Sequence, residues 1–240
     1  MRLLSDFHDY YDPAFDQEGS VFSRMCRDAG PSKRQQFEIL SRAGFLVPPH
    51  GLVGEVMGQW WESEKLWVRA VVAYTDEMAH CGEGKRVYRE SELKSNPDMG
   101  APGGDRYWQE RGLYCSAFVG SQETAGHKPS FSFRRLQIGR HVFWIEYTSK
   151  DSWMSNVGDG DCQVVGVYMN DGYHPSINLP LFAIDFVVGQ ELYAIDFNVA
   201  PGIRGSGVEK LLTAKEVVES IEAFKWQESS TSITPENPQS

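Results

Sequence analysis

The sequence predicts an α+β protein whose sheets are mainly antiparallel, and three stretches carry that prediction. Residues 181–199 divide into two apolar strands, Leu181–Val188 and Leu192–Val199, with Gly189-Gln190 between them. Residues 131–147 repeat the plan, with Phe131–Ile138 and His141–Tyr147 about Gly139-Arg140. Turns this short join antiparallel neighbours. Segments of helical period stand beside these hairpins, at 32–43 and at Ser206–Lys225.

Length and charge narrow the function classes. The 240 residues suffice for one large domain or two small lobes, and 41% hydrophobic with 23% charged residues is ordinary for a globular chain. A net charge of −10 argues against general affinity for nucleic acid, although a small polyanion needs only a local cationic pocket. No apolar run approaches the ~20 residues that cross a bilayer. The start, MRLLSDFHDYYD, lacks the long apolar stretch of a secretory signal, so a cytoplasmic protein with no membrane partner is expected. Cys26, Cys81, Cys115 and Cys162 form no C-x-x-C pair, which fits neither a zinc knuckle nor a disulfide framework.

Along the chain, Asp6, His8, Asp9 and Asp12 gather metal-ligand types in a short segment closed by Pro13. They form either a metal site or a solvated loop. At 32–43, Ser32 caps a helix carrying Phe37, Leu40 and Ala43, Gly44 stops it, and Phe45–Val47 runs extended into Pro48-Pro49. Trp60-Trp61 falls in a short helix or loop, and adjacent tryptophans cannot share a helical face, so one packs and the other meets the surface. Leu66–Tyr74 reads as one buried strand. The glycine loop at 82–85 puts Lys85 at the start of a further strand, and it reads equally as a phosphate contact or a solvated turn. It is not a P-loop. Residues 94–112, rich in glycine and proline, form a loop that either closes over a substrate or merely connects. Residues 113–120 and Gln163–Met169 are strands, and His174 lies in a loop. The last residues, 228–240, are polar and are expected to be a disordered tail.

The hairpin 181–199 carries the chemistry. Asp185 falls opposite or one residue off Asp196, and Asn198 shares a face with Asp196. Two carboxylates side by side among apolar residues call for a compensating cation or donors, and a divalent metal with hard oxygen ligands satisfies both acids. The following Pro201-Gly202-Ile203-Arg204-Gly205-Ser206-Gly207 offers backbone N–H groups and a guanidinium to an anion.

The pattern D-F, hairpin, D-F-N-x-x-P-G resembles the end of the ATP-grasp fold, and S-K-x6-L-x3-G-x3-P at 32–48 resembles the helix by which such chains enter their nucleotide-binding part. Arg134, Gly139, Trp153, Ser155 and Asn156 are similar to the series found in the glutamate-ligase branch. Two positions depart from it: Ser132 stands where that branch has an acid, and Met154 where its loop has an arginine. Arg135, Arg140 or Arg204 are candidates to replace that arginine.

The resemblance implies two α+β lobes with a nucleotide cleft between them, a divergent one at 1–128 and an ATP-grasp-like one at 129–227. It implies ATP and Mg2+ as cofactors, with Asp185, Asp196 and Asn198 on the metal. Lys85, Asn156, Gly202 and Gly205 would hold the nucleotide, and Arg134 and Arg204 would be catalytic. The implied reaction is ligation of a small carboxylate and an amine, an amino acid or peptide, through an acylphosphate. Two alternatives stand beside it: a nucleotide- or protein-binding module without ligase activity, and a metal-dependent hydrolase built on Asp6, His8, Asp9 and Asp12.

Overall fold

The computed structural model describes residues 31–74, 84–95, 113–122, 125, 130–155, 160–169, 176–199, 201, 203 and 205–223. The Asp6–Asp12 cluster, His174, Asn156, Gly202, Arg204, residues 96–112 and the tail lie outside them. No helix among the described residues is long and apolar enough to cross a membrane.

Helix α1, Lys33–Arg42, forms where the cap predicts it. The Ser32 side chain accepts the Gln35 amide, while Gln35 Oε1 accepts the Ser32 amide at 2.9 Å. Phe37 and Leu40 are buried, and Gly44 ends the helix at φ +84°, a conformation that favours glycine.

Eleven strands follow among the described residues. Strands β1 (His50–Leu52), β4 (Ala70–Tyr74), β5 (Lys85–Arg89) and β6 (Tyr114–Ala117) make a four-stranded sheet in the order β1-β6-β4-β5. Short helices α2 (Val53–Val56) and α3 (Glu90–Ser95) flank it. Strands β2 (Trp60–Trp61) and β3 (Leu66–Trp67) pair as a small hairpin. The expected single strand at 66–74 is therefore interrupted. Val68 donates to the Gln59 carbonyl and accepts from Gly58, which turns β3 toward β2. Trp60-Trp61 is strand rather than helix or loop. Trp61 is buried beside Tyr193 and Trp60 is exposed, as adjacent tryptophans require.

The larger sheet, ordered β11-β10-β7-β8-β9, comprises β7 (Ser130–Ile138), β8 (His141–Ser149), β9 (Gly160–Met169), β10 (Leu181–Val188) and β11 (Leu192–Asn198). All its pairings are antiparallel. Strand β10 is covered on both faces. Leu181 and Ala183 join Leu136, Phe143 and Ile145 beneath Val217 and Ile221 of helix α4 (Ala214–Glu222). Phe182, Ile184 and Phe186 pack on the other face with Leu40 of α1. The single helix expected over 206–225 is instead a 3-10 turn, Val208–Lys210, followed by α4. Gly207 at φ +87° precedes the turn, and Thr213 restarts the helix by capping the Glu216 amide.

Gly139 closes the β7–β8 turn at φ +57°, and a Cβ there would lie 2.8 Å from the Ser220 carbonyl oxygen of α4. Gly139→Ala is expected to cost about 2–4 kcal/mol, from left-handed strain plus the clash. Urea denaturation of the two proteins measures it.

Helix α1 also closes an edge. The outward backbone groups of β11 find partners there: Phe197 N–H donates to Gln36 Oε1 (3.1 Å), and the Ile195 carbonyl accepts Lys33 Nζ (2.7 Å). Leu46, in the extended piece after α1, accepts the Ala194 amide at 2.8 Å. An edge strand covered in this way is not free to recruit another chain. The same contacts carry Lys33 to the face of the sheet that holds Asp196.

Candidate active site

Register brings the carboxylates together. Asp185 of β10 pairs directly with Asp196 of β11, and Phe186 pairs with Ala194, so Ile195 is a bulge. Asp185 also pairs with Arg134 of β7 on its other side, and Asn198 lies opposite Ala183. Period-2 alternation puts Arg134, Asp185, Asp196 and Asn198 on one face. Tyr147 of β8 shares it, opposite Ser132, and the Arg134 guanidinium lies 5.3 Å from its ring centre.

Each acid is met by cations. Arg134 grips Asp185 with both arms, Nε to Oδ1 at 2.6 Å and Nη2 to Oδ2 at 2.8 Å. Asp196 stands between two lysines: Lys33 Nζ donates to Oδ1 at 2.8 Å, and Lys85 Nζ to Oδ2 at 3.1 Å. Lys85 opens β5, paired with Tyr74 of β4, so this contact joins the two sheets. Lys33 is 4% exposed and also donates to Gln36 Oε1, with the Phe37 and Tyr74 rings 5.4 and 5.1 Å away.

The electrostatics follow from this packing. Burial pushes the Asp196 carboxyl up, but Lys33 and Lys85 outweigh it and hold the acid well below the usual carboxylate range. Burial works against the Arg134 charge, and the Asp185 carboxylate more than restores it. Burial raises the Tyr74 and Tyr147 phenols well above their ordinary value, so both stay protonated. The cluster thus sets three cationic side chains against two carboxylates.

The hairpin that carries the acids is anchored at its turn. Glu64, in the β2–β3 turn, accepts the Gln190 amide at 2.9 Å and the Tyr193 hydroxyl at 2.7 Å. Burial, with Glu64 adding to it, pushes the Tyr193 phenol up to about 12.

The glycines that precede the 3-10 turn are engaged from within. Glu209 accepts the Gly205 amide (3.1 Å) and the Gly207 amide (3.0 Å) through its two oxygens. Of the arginines considered as replacements at Met154, Arg135 projects to the opposite face, over Phe182, and donates to Gln137. Arg140 is exposed at the β7–β8 turn. Neither joins the cluster. Ser132, at the position of the missing acid, shares a hydrogen bond with Ser155.

No family model matches the chain, and no curated protein matches it. Solved structures do. One is the ATP-grasp ligase PsnB complexed with minimal precursor, with a TM-score of 0.53 at 10% identity, covering 86% of this chain and 64% of that one. PsnB complexed with minimal precursor, Mg and ADP gives 0.51 at 10% identity, covering 84% and 60%. The fold is the ATP-grasp fold. This chain spans less than two thirds of the length of those relatives.

Within the ATP-grasp fold, Arg134 contacts Asp185 and Lys85 contacts Asp196 at directly paired positions of β10 and β11, and Asn198 lies half-buried on the same face. Lys33 is the residue that sequence reasoning passes over. Its only signal is its place directly after the capping Ser32 in the S-K layout. For a divalent cation the donor chemistry fits: two ionised carboxylates and an amide on one face are hard oxygen ligands. Among the described residues no three His, Cys, Asp or Glu side chains gather around one point, so Asn198 would have to complete the set. Cys115 and Cys162 are unpaired thiols, and burial pushes Cys115 up to about 12, far from the range of a reactive thiolate.

Proposed function

We propose that this chain binds ATP with Mg2+ and ligates a small carboxylate, an amino acid or peptide, to an amine. The observation that carries the reading is the cluster of Lys33, Lys85 and Arg134 about Asp185 and Asp196 at the seam of the two sheets. Phosphoryl transfer is catalysed almost wholly by positioning and charge neutralisation, and such a cluster supplies both. Lys33 and Lys85 would neutralise phosphate oxygens, and Arg134 would hold charge that develops on the transferred group. Asp185, Asp196 and Asn198 would hold the magnesium. ATP supplies the phosphoryl group that turns a carboxylate into an acylphosphate open to an amine. Residues 1–128 and 129–227 would be the two lobes about the nucleotide, with Asn156, Gly202, Arg204 and Gly205 completing its surroundings. A PsnB complex contains minimal precursor, Mg and ADP, which favours ATP with Mg2+ as the cofactors here.

Calorimetric titration with Mg-ATP tests the reading. The wild-type protein should bind, and Asp196→Asn should bind at least about tenfold more weakly, the loss of a charge-assisted contact. Absence of binding by the wild type would remove the proposal. Met154 and Ser132 favour a second reading, nucleotide binding without ligation. ADP release that depends on both a carboxylate and an amine separates the two.

A further inference from the structure

We propose that the cluster takes its phosphate-bearing anion before its divalent cation, the two entering in a compulsory order. The inference rests on the nucleotide reading above and concerns how that site fills. Both oxygens of Asp185 already accept from Arg134, and both oxygens of Asp196 accept from a lysine. A divalent cation arriving alone meets carboxylates already paired to ammonium and guanidinium groups. It would have to displace them while adding two positive charges to a cluster that holds three cations against two acids.

Little solvent reaches this seam. The side chains of Lys33 and Arg134 are 5% and 13% exposed, so those two charges, once displaced, have little water to retire into. An anion meets the opposite situation. The cluster carries one surplus positive charge in a chain of net charge −10, which makes it a local cationic spot among the described residues of an acidic protein. Lys85, on a flexible stem and 20% exposed, can swing from Asp196 Oδ2 to a phosphate oxygen and keep a charge-assisted bond. That exchange releases one Asp196 oxygen, and Arg134 engaging the same anion releases Asp185. The carboxylates then face a phosphate instead of cations, and a divalent ion is attracted where it was repelled.

The seat has a parallel just before the 3-10 turn, where the Glu209 carboxylate accepts the Gly205 and Gly207 amides. There too a carboxylate of the chain itself occupies donors suited to an incoming anion.

The order is read directly with ADP and Mn2+. Calorimetry of ADP into the wild-type protein in EDTA should give binding. The free-Mn2+ paramagnetic resonance signal should be undiminished by protein alone. It should fall once ADP is present, beyond the fall that ADP causes without protein. Lys85→Met should move the two affinities in opposite directions. It should weaken metal-free ADP binding by roughly tenfold or more, the worth of one bond to a charged group, and should make protein alone lower the free-Mn2+ signal in the absence of ADP. Lys33→Met should do the same. A lysine with only a structural role would not produce opposite signs. Lys85 is the safer variant because it is partly exposed, and the wild-type titrations need no variant at all.

Two results overturn the order while leaving the nucleotide reading intact. One is ADP binding only when Mn2+ is present. The other is Mn2+ binding to the wild type without ADP, as tight as with it and removed by Asp196→Asn. ADP binding under neither condition overturns the nucleotide reading itself, and the order with it.

Discussion

Asp196→Asn should lower stability by about 3 kcal/mol at neutral pH, because it strands Lys33 in the interior without its carboxylate. The figure is at the lower end for breaking a buried pair. Lys33 keeps the Ile195 carbonyl and Gln36 Oε1, and the asparagine oxygen remains an acceptor. The effect carries a pH signature. The two lysines hold the folded-state carboxyl below its unfolded value, which is about 3.9. The stabilisation is therefore fully present above that unfolded value and is lost as pH falls through the depressed folded one. Urea denaturation of wild type and variant should show a gap that is constant from pH 5 to 7 and narrows below about pH 4. A gap of the same size at pH 3 would mean that the charge of Asp196 is not what stabilises the fold.

Arg134→Met should be at least as damaging, by about 3–5 kcal/mol, since Asp185 is 8% exposed and would lose its only cationic partner among the described residues. Arg134→Lys restores the charge without the two-armed grip and should recover only part of the loss. The double variant Arg134→Met with Asp185→Asn removes both charges. It should be more stable than Arg134→Met alone, and the opposite ranking would show that the pair is not what the single variant breaks. In an assay of ADP release, Arg134→Met should lose roughly a thousandfold or more in rate, with a smaller loss in nucleotide affinity. Equal losses in the two would assign Arg134 to binding rather than to the transferred phosphoryl group.

Much of this arrangement is legible in the chain itself, for local reasons. The hairpins at 130–149 and 181–198 announce themselves because apolar runs flank short turns, and Leu181–Val188 is bounded as the pattern indicates. Helix α1 is legible from Ser32 and Gly44, whose capping chemistry is local. Asp185 and Asp196 stand out because acids inside buried strands are costly.

What is not legible depends on distant partners. The bulge at Ile195, which aligns the two acids, arises from packing between strands and leaves no mark in composition. The break at Val68 comes from bonds to Gly58 and Gln59 that a period-2 pattern does not register. A lysine in the first turn of a helix reads as a solvated charge. Nothing near Lys33 says that its ammonium ends beside a carboxylate on the last strand of the sheet.

That contact bears on how the protein folds. Lys33 and Gln36 lie one helical turn apart, and they reach Asp196 and Phe197 across separations of 163 and 161 residues. Closing so long a loop is entropically costly and is repaid only when the distant strand is in place. The hairpin β10–β11 can form early from local contacts, but α1 docks on it only after the intervening chain has been laid down. The step that shields the sheet edge is also the step that delivers the first lysine to Asp196. Refolding should therefore bring hairpin secondary structure ahead of any ability to bind a phosphate anion, with the site assembled in the last, slowest phase.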